Sequence, residues 1–301
     1  QGGGLSAPAL TDKDKQDIRI AAELNVDYVA VSFPKNGDDL RQARELLKAA
    51  GSQALLVAKI ERVEAIANLE DILSASDGVM VARGDLAVEV GDAAVPALQK
   101  RIIRQAREFN RFAITATQMM ESMIHSPVPT RAEVSDVANA VLDGTDAVML
   151  SGETAAGDYP VQTVEAMARI CLEAEKSADV SLEKHFLDRV FTRIDQSIAM
   201  AALFAASHLQ VKAIAALTES GATALWMSRV YSGVPVYALT QDLHTRSKVS
   251  IFKGVYPLLM CQSGHDRDEL LREAEDRLIR AGAVAPGDLI VITIGEPIGT
   301  P

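Results

Sequence analysis

The chain has 301 residues, 48% hydrophobic, 24% charged and only 4% aromatic, which suits an aliphatic globular enzyme of about two domains. Thirty basic residues against 41 acidic ones give a net charge of −11, a balance that argues against nucleic acid as a partner. There is no apolar run of transmembrane length and no signal peptide, so neither membrane nor export is indicated and a cytoplasmic location is expected.

Cys171 and Cys261 stand isolated among apolar neighbours and read as buried free thiols of a reducing compartment. The chain starts at Gln1 rather than Met, and Gln1-Gly2-Gly3-Gly4 reads as the tail of a linker, so residues 1–8 are expected to follow further sequence upstream.

In chain order, a helical pattern over 13–24 opens with Thr11 and Asp14 spaced as a capping box. Strand-like runs follow at 27–33, 54–60, 78–82, 112–117 and 146–150, with helical patterns at 38–49, 62–74, 95–109, 131–142 and 161–176. Gly51 marks the stop of the helix at 38–49. Short apolar runs between polar turns read as buried parallel strands, and strand starts roughly 24 to 34 residues apart suit right-handed βαβ units.

Each run ends in polar residues: Ser32-Phe33-Pro34-Lys35, Lys59-Ile60-Glu61, Arg83-Gly84-Asp85, Thr117-Gln118 and Ser151-Gly152-Glu153. Polar groups gathered at the carboxyl ends of successive strands match the mouth of a barrel. The expected fold is therefore α/β: residues 9–176 as the last five strands of a (β/α)8 TIM barrel, with an open five-stranded sheet as the competing reading. A charged stretch near 177–193 reads as a connection. Residues 177–301 then form a smaller, doubly wound α/β domain. Its helices are expected at 195–209, 222–231, 243–250 and 266–281, and its strands at 212–217, 234–239, 255–260 and 288–293.

Lys59 and Glu61 lie two apart and face one side of a continuing strand. Lys59 can neutralise a substrate oxygen, while Glu61 and Asp85 on the next strand can offer hard oxygen ligands to Mg²⁺. The bland alternative is a snorkelling lysine and a helix first-turn acid. Gly84 allows a close backbone approach at a sharp strand-to-loop turn, and the amides of 84 and 85 could hold a carboxylate. Thr117 is either a helix cap or a hydroxyl aimed into the mouth.

Thr218-Glu219-Ser220-Gly221-Ala222-Thr223 opens a helix in the second domain. It could receive a phosphate or simply cap. The five histidines, at 125, 185, 208, 244 and 265, show no ligand spacing, and no Walker A loop is present.

The strings AKIE (58–61), SDGVMVARGDLAVE (76–89), the long run 116–160 and LTESGATA (217–224) resemble pyruvate kinase of the bacterial type across nearly the whole chain. The resemblance implies Mg²⁺-dependent (or Mn²⁺-dependent) transfer of the phosphoryl group of phosphoenolpyruvate to ADP, giving pyruvate and ATP in glycolysis. By the same resemblance, Lys59 stabilises the transferring group, Glu61 and Asp85 hold the metal, and Gly84 with Asp85 holds the substrate carboxylate. Thr117 contacts substrate and is implicated in protonating enolpyruvate. A phosphorylated effector at Thr218, Ser220, Gly221 and Thr223 is implied as well, along with a homotetramer having the helix near 130–142 at a subunit contact.

Family members begin with three more barrel strands and a lid domain, which carry the K⁺ ligands and part of the nucleotide site. The 301 residues alone are therefore expected to be inactive. Two rivals stand beside this reading: another Mg²⁺-dependent enolate-stabilising barrel enzyme, such as a pyruvate aldolase, and a non-catalytic effector-binding module.

Overall fold

A computed structural model describes residues 9–177, 191, 193–230, 232–261 and 266–295, and the chain divides into two units between residues 178 and 179. The expected linker tail at 1–8, most of the connection at 177–193, Tyr231, His185, His265 and the last residues from 296 on lie outside the described residues.

The first unit runs α1 (Asp12–Glu23), β1 (Tyr28–Val31), α2 (Gly37–Ala49), β2 (Leu55–Ile60), α3 (Val63–Ala67), α4 (Leu69–Ala75), β3 (Gly78–Ala82) and α5 (Arg83–Val90). It continues with α6 (Val95–Glu108), β4 (Phe112–Ala116), α7 (Arg131–Leu142), β5 (Ala147–Met149), α8 (Gly152–Ala155) and α9 (Pro160–Ser177). The strands form one parallel sheet in the order β1-β2-β3-β4-β5. Each pairs with the next in sequence and the order never reverses, which is the stave order of a barrel rather than of a doubly wound sheet. Strands β3 and β4 are buried along their whole length, which explains their unbroken apolar sequence.

Register at the amino ends of the strands is held by aspartates that precede them. Asp77 accepts the Leu56 N–H (2.8 Å) and Asp146 the Ala113 N–H (2.9 Å). Leu56, Ile60, Ile72, Leu73 and Ile102 fill the core between sheet and helices.

Local signals explain most boundaries. Thr11 and Asp14 make a reciprocal capping box on α1. Gly51, at φ 74°, closes α2 while the Ser52 N–H reaches back to the Leu47 carbonyl, the left-handed stop that glycine favours. The expected single helix over 62–74 is instead two, broken at Asn68. The Asn68 side-chain amide donates to the Lys35 carbonyl (3.0 Å), and a side chain so committed goes with backbone that has left the helical region.

A second correction concerns Arg83-Gly84-Asp85, which opens α5 directly from β3 rather than forming a loop. Gly84 is not among the residues with positive φ.

The second unit runs α10 (Ile194–Leu209), β6 (Ala213–Leu217), α11 (Ala222–Arg229), β7 (Val236–Thr240), α12 (Leu243–Val249), β8 (Val255–Leu259), α13 (Arg267–Arg280) and β9 (Ile290–Thr293). Its parallel sheet has the order β8-β7-β6-β9. Winding reverses at β6, and ligands of such sheets bind at the carboxyl ends of the strands beside that reversal.

The thiols differ from expectation. Cys261 is exposed just past the edge strand β8, where Arg277 Nη2 lies 2.7 Å from its sulfur, and Cys171 is half-buried; neither is in a disulfide. Among the described residues no helix is long and apolar enough to cross a membrane.

Candidate active site

Lys59 is the penultimate residue of β2, and Glu61 follows directly on the strand's end. With the strand still extended, the two side chains leave the same face, and Lys59 Nζ comes within 2.6 Å of Glu61 Oε1. Glu61 is fully buried while Lys59 keeps about a quarter of its side chain in solvent. Lys59 also donates to Ser32 Oγ at the end of β1 (3.2 Å). Neither bland alternative describes this geometry: the lysine is tied down on two sides, and Glu61 precedes α3 instead of sitting in its first turn.

The other Glu61 oxygen, Oε2, accepts the Phe33 N–H at 2.7 Å. Phe33 has φ 53°, a left-handed conformation a bulky residue holds only under constraint, and the Arg62 guanidinium lies 5.5 Å from its ring centroid. Burial pushes the Glu61 carboxyl above the usual glutamate range, against the opposing hydrogen bonds from Lys59 and Phe33; the nearby Asp85 charge adds to the rise. Asp85, exposed in the first turn of α5, is thus within electrostatic reach of Glu61.

The fit to a divalent ion can be judged from these groups. Glu61 Oε1 is buried and accepts no directional hydrogen bond beyond its ion contact with Lys59. The available donors are carboxylate oxygens, with no imidazole or thiolate, a set that suits Mg²⁺ or Mn²⁺. Among the described residues no three His, Cys, Asp or Glu side chains come together as a metal cage. Mg²⁺ characteristically takes one or two carboxylates and completes its shell with water and substrate oxygens, so the pair fits.

Thr117 follows β4 with φ 66°, and Gln118 follows with φ 52°. Such left-handed non-glycine residues each cost on the order of 1–3 kcal/mol and persist where their surroundings over-determine them. The Thr117 hydroxyl donates to the Ala116 carbonyl (2.7 Å) and accepts the Gly84 N–H (2.9 Å). The Gly84 amide expected to meet a substrate carboxylate is therefore already engaged by the threonine.

Arg83, only 7% exposed, donates through Nη2 to the carbonyls of Thr117 (2.8 Å) and Gln118 (2.9 Å), and through Nη1 to both oxygens of Asp136 (2.8 and 2.6 Å). Glu153, 4% exposed, accepts the Met120 N–H (3.2 Å) and the Ser151 N–H (2.7 Å).

A profile describing the pyruvate kinase barrel domain matches residues 1–164, and one describing the pyruvate kinase alpha/beta domain matches residues 196–301. The chain belongs to the pyruvate kinase family. It is 54% identical to pyruvate kinase II of Salmonella typhimurium over 303 aligned positions, covering 99% of this chain and 63% of that protein. It is 52% identical to the pyruvate kinase of Buchnera aphidicola, again covering 99% of this chain and 63% of the relative. Identity is also 52% to the pyruvate kinase of Haemophilus influenzae, with 98% and 62% covered. The chain thus spans a little under two thirds of the length of the pyruvate kinases it matches.

Of the residues singled out in the sequence, the structure brings Lys59 and Glu61 into contact, leaves Asp85 within electrostatic reach of Glu61, and joins Gly84 to Thr117. In the second unit, the Thr218 hydroxyl accepts the Gly221 N–H (2.9 Å) and the Ser220 hydroxyl accepts the Ala222 N–H (3.4 Å). Those two oxygens cap their own turn, with Gly221 at φ 83° and Thr223 in the first turn of α11.

The sequence placed Ser32, Arg83 and Glu153 among the polar strand ends of the mouth without giving any of them a role, and it did not single out Asp136. For Arg83 there was a further local signal, an arginine set directly after a wholly apolar strand, a position at which a buried guanidinium needs several acceptors at once.

Proposed function

We propose that this chain carries the metal and phosphoryl-transfer groups of a pyruvate kinase that passes the phosphoryl group of phosphoenolpyruvate to ADP in glycolysis. The observation that carries this reading is the buried Lys59–Glu61 ion pair at 2.6 Å, with the Asp85 charge close by. Phosphoryl transfer is catalysed by positioning and charge neutralisation more than by covalent chemistry, and this pair supplies both.

When bound by Glu61 and Asp85, Mg²⁺ or Mn²⁺ would neutralise substrate oxygens. Lys59 turns its ammonium from Glu61 toward the transferring phosphoryl group and the developing enolate. Gly84 and Asp85 offer amides to the substrate carboxylate as the Thr117 hydroxyl turns toward the enol carbon, and Thr117 then relays the proton that gives pyruvate.

Further parts of the proposal rest on the family resemblance. K⁺ is bound by segments other than these residues. A phosphorylated effector sits at Thr218–Thr223, a reading supported by the place of that loop at the carboxyl end of β6, where winding reverses. The enzyme is a homotetramer, with α7 at one contact, and the exposed Val134 and Leu142 of that helix support it. It works in the cytoplasm, to which two cysteines outside any disulfide are suited. Residues 1–301 by themselves form no ATP.

The test is ATP formation from phosphoenolpyruvate and ADP by the full-length enzyme, wild type and Lys59→Met. The variant should lose about 10³-fold or more in kcat while still binding phosphoenolpyruvate, since the lost charge matters most in the transition state. A wild type that forms no ATP, or a Lys59→Met loss confined to KM, would contradict the proposal.

A further inference from the structure

Two buried glutamates at the carboxyl ends of the first sheet share one arrangement. Glu61, after β2, accepts the amide of Phe33 from the loop after β1. Glu153, after β5, accepts the amide of Met120 from the loop after β4. In each case the amide belongs to a segment held in left-handed backbone: Phe33 itself, or the Thr117-Gln118 pair just before Met120. Glu61 has a place in the proposed chemistry. Glu153 has had none.

We propose that Glu153 is a positioning residue for the Thr117 hydroxyl, and this rests on the reading of Thr117 as the proton relay. The turn from Thr117 to Met120 is gripped at both polarities. Arg83 holds its carbonyls at 117 and 118, and Glu153 holds its amide at 120. A cation on the carbonyls and an anion on the next free amide fix the turn's direction as well as its place. Relaxing either grip lets the strained pair return toward commoner backbone angles, which shifts the Thr117 backbone and with it the position from which its hydroxyl turns from Gly84 toward the enol carbon.

The position of Glu153 is itself fixed independently of these bonds. A Cβ on Gly157 would meet the Glu153 carbonyl oxygen at 2.4 Å and Ile124 Cα at 3.2 Å, so only glycine lets these backbones pack. The Asp158 N–H donates to the Ile124 carbonyl at 2.8 Å. Helix α8 is thereby docked on the turn at Glu121–Ile124, and Met120 and Met123 sit fully buried beneath it.

Glu153 also needs to be a carboxylate. Both of its oxygens accept, one from Met120 and one from Ser151. Glutamine offers one oxygen and turns an NH₂ group against the remaining amide.

The experiment measures two rates in the full-length enzyme: ATP formation, which reports phosphoryl transfer, and tritium release from methyl-labelled pyruvate, which reports proton transfer at that carbon. Glu153→Gln should lower tritium release about 10²-fold, the scale of a small misplacement of a reacting group. ATP formation should fall much less, and the thermal midpoint should stay within a few degrees. A ratio of the two rates equal to wild type, whether both fall together or neither falls, would overturn the proposal while leaving the assigned reaction intact. A wild type that forms no ATP would sink both. Should Glu153→Gln not fold, Glu153→Asp, which keeps two acceptor oxygens on a shorter stem, is read by the same ratio with the same two outcomes.

Discussion

Arg83 and Asp136 are joined across 53 positions of sequence, with one guanidinium nitrogen 2.8 and 2.6 Å from the two carboxylate oxygens. The rest of the guanidinium faces the other way, onto the carbonyls of Thr117 and Gln118 and the sulfur of Met119. The start of α5, the turn after β4 and the middle of α7 are thus tied through one side chain. Lysine has neither the planar fork nor enough donors to serve both directions. Arg83→Lys should therefore lower tritium release from methyl-labelled pyruvate by about 10²-fold, with smaller changes in ATP formation and metal affinity, because the misplaced group is the Thr117 hydroxyl. The two rates measured beside a Mn²⁺ titration check this, and unchanged tritium release would mean the turn holds itself.

Gly78 begins β3 directly beneath the Phe112 ring, where a Cβ would fall 2.3 to 2.6 Å from three ring carbons. Phe112 cannot simply retreat, because it stands edge-on against Tyr28 at 5.4 Å and is 1% exposed. Gly78→Ala should cost about 1–3 kcal/mol as an overpacked core, read as a lower urea midpoint at constant slope. Full stability would show that β3 and β4 can spread without loss.

Glu133 accepts four hydrogen bonds, from the amide and hydroxyl of Ser122 (2.7 and 2.5 Å) and of Thr130 (2.8 and 2.9 Å). Burial pushes its carboxyl up, but the Ser122 and Thr130 bonds outweigh that and hold it below the ordinary glutamate value of 4.5. A carboxyl with a depressed folded-state pKa contributes stability that is fully present above the unfolded value and is lost as pH falls through the folded one. The stability difference between wild type and Glu133→Gln should therefore be about 1 kcal/mol at neutral pH, the scale of a helix cap. It should shrink steadily as the pH is taken below 4.5. A difference independent of pH would assign the effect to packing.

How far the chain could be read in advance follows from the range of each interaction. The runs at 54–60 and 78–82 declared themselves because strands of a helix-covered parallel sheet are apolar on both faces, and the abrupt change to Lys59, Glu61 and Arg83 marked their ends. Capping boxes and the Gly51 stop are three-residue signals and are visible locally. Asp136 and Glu153 are different: each meets its partner 53 or 33 residues away, and although Glu153 stood at a polar strand end, nothing adjacent to either announces that partner. Cys261 was misread because the apolar residues before it form an edge strand, β8, whose outer side is open, as the exposed Tyr256 shows. Asn68 broke a helix whose periodicity continued through it, because its side chain was needed at Lys35.

The central claim is that Glu61 and Asp85 bind one divalent ion beside Lys59. The most direct test is a Mn²⁺ titration of the full-length enzyme followed by electron paramagnetic resonance, for wild type, Glu61→Gln and Asp85→Asn, with circular dichroism to confirm folding. The account predicts one tight Mn²⁺ per chain in the wild type, weakened by about 10-fold or more in each variant as a carboxylate ligand becomes a neutral amide. Wild-type affinity retained in both folded variants would contradict it.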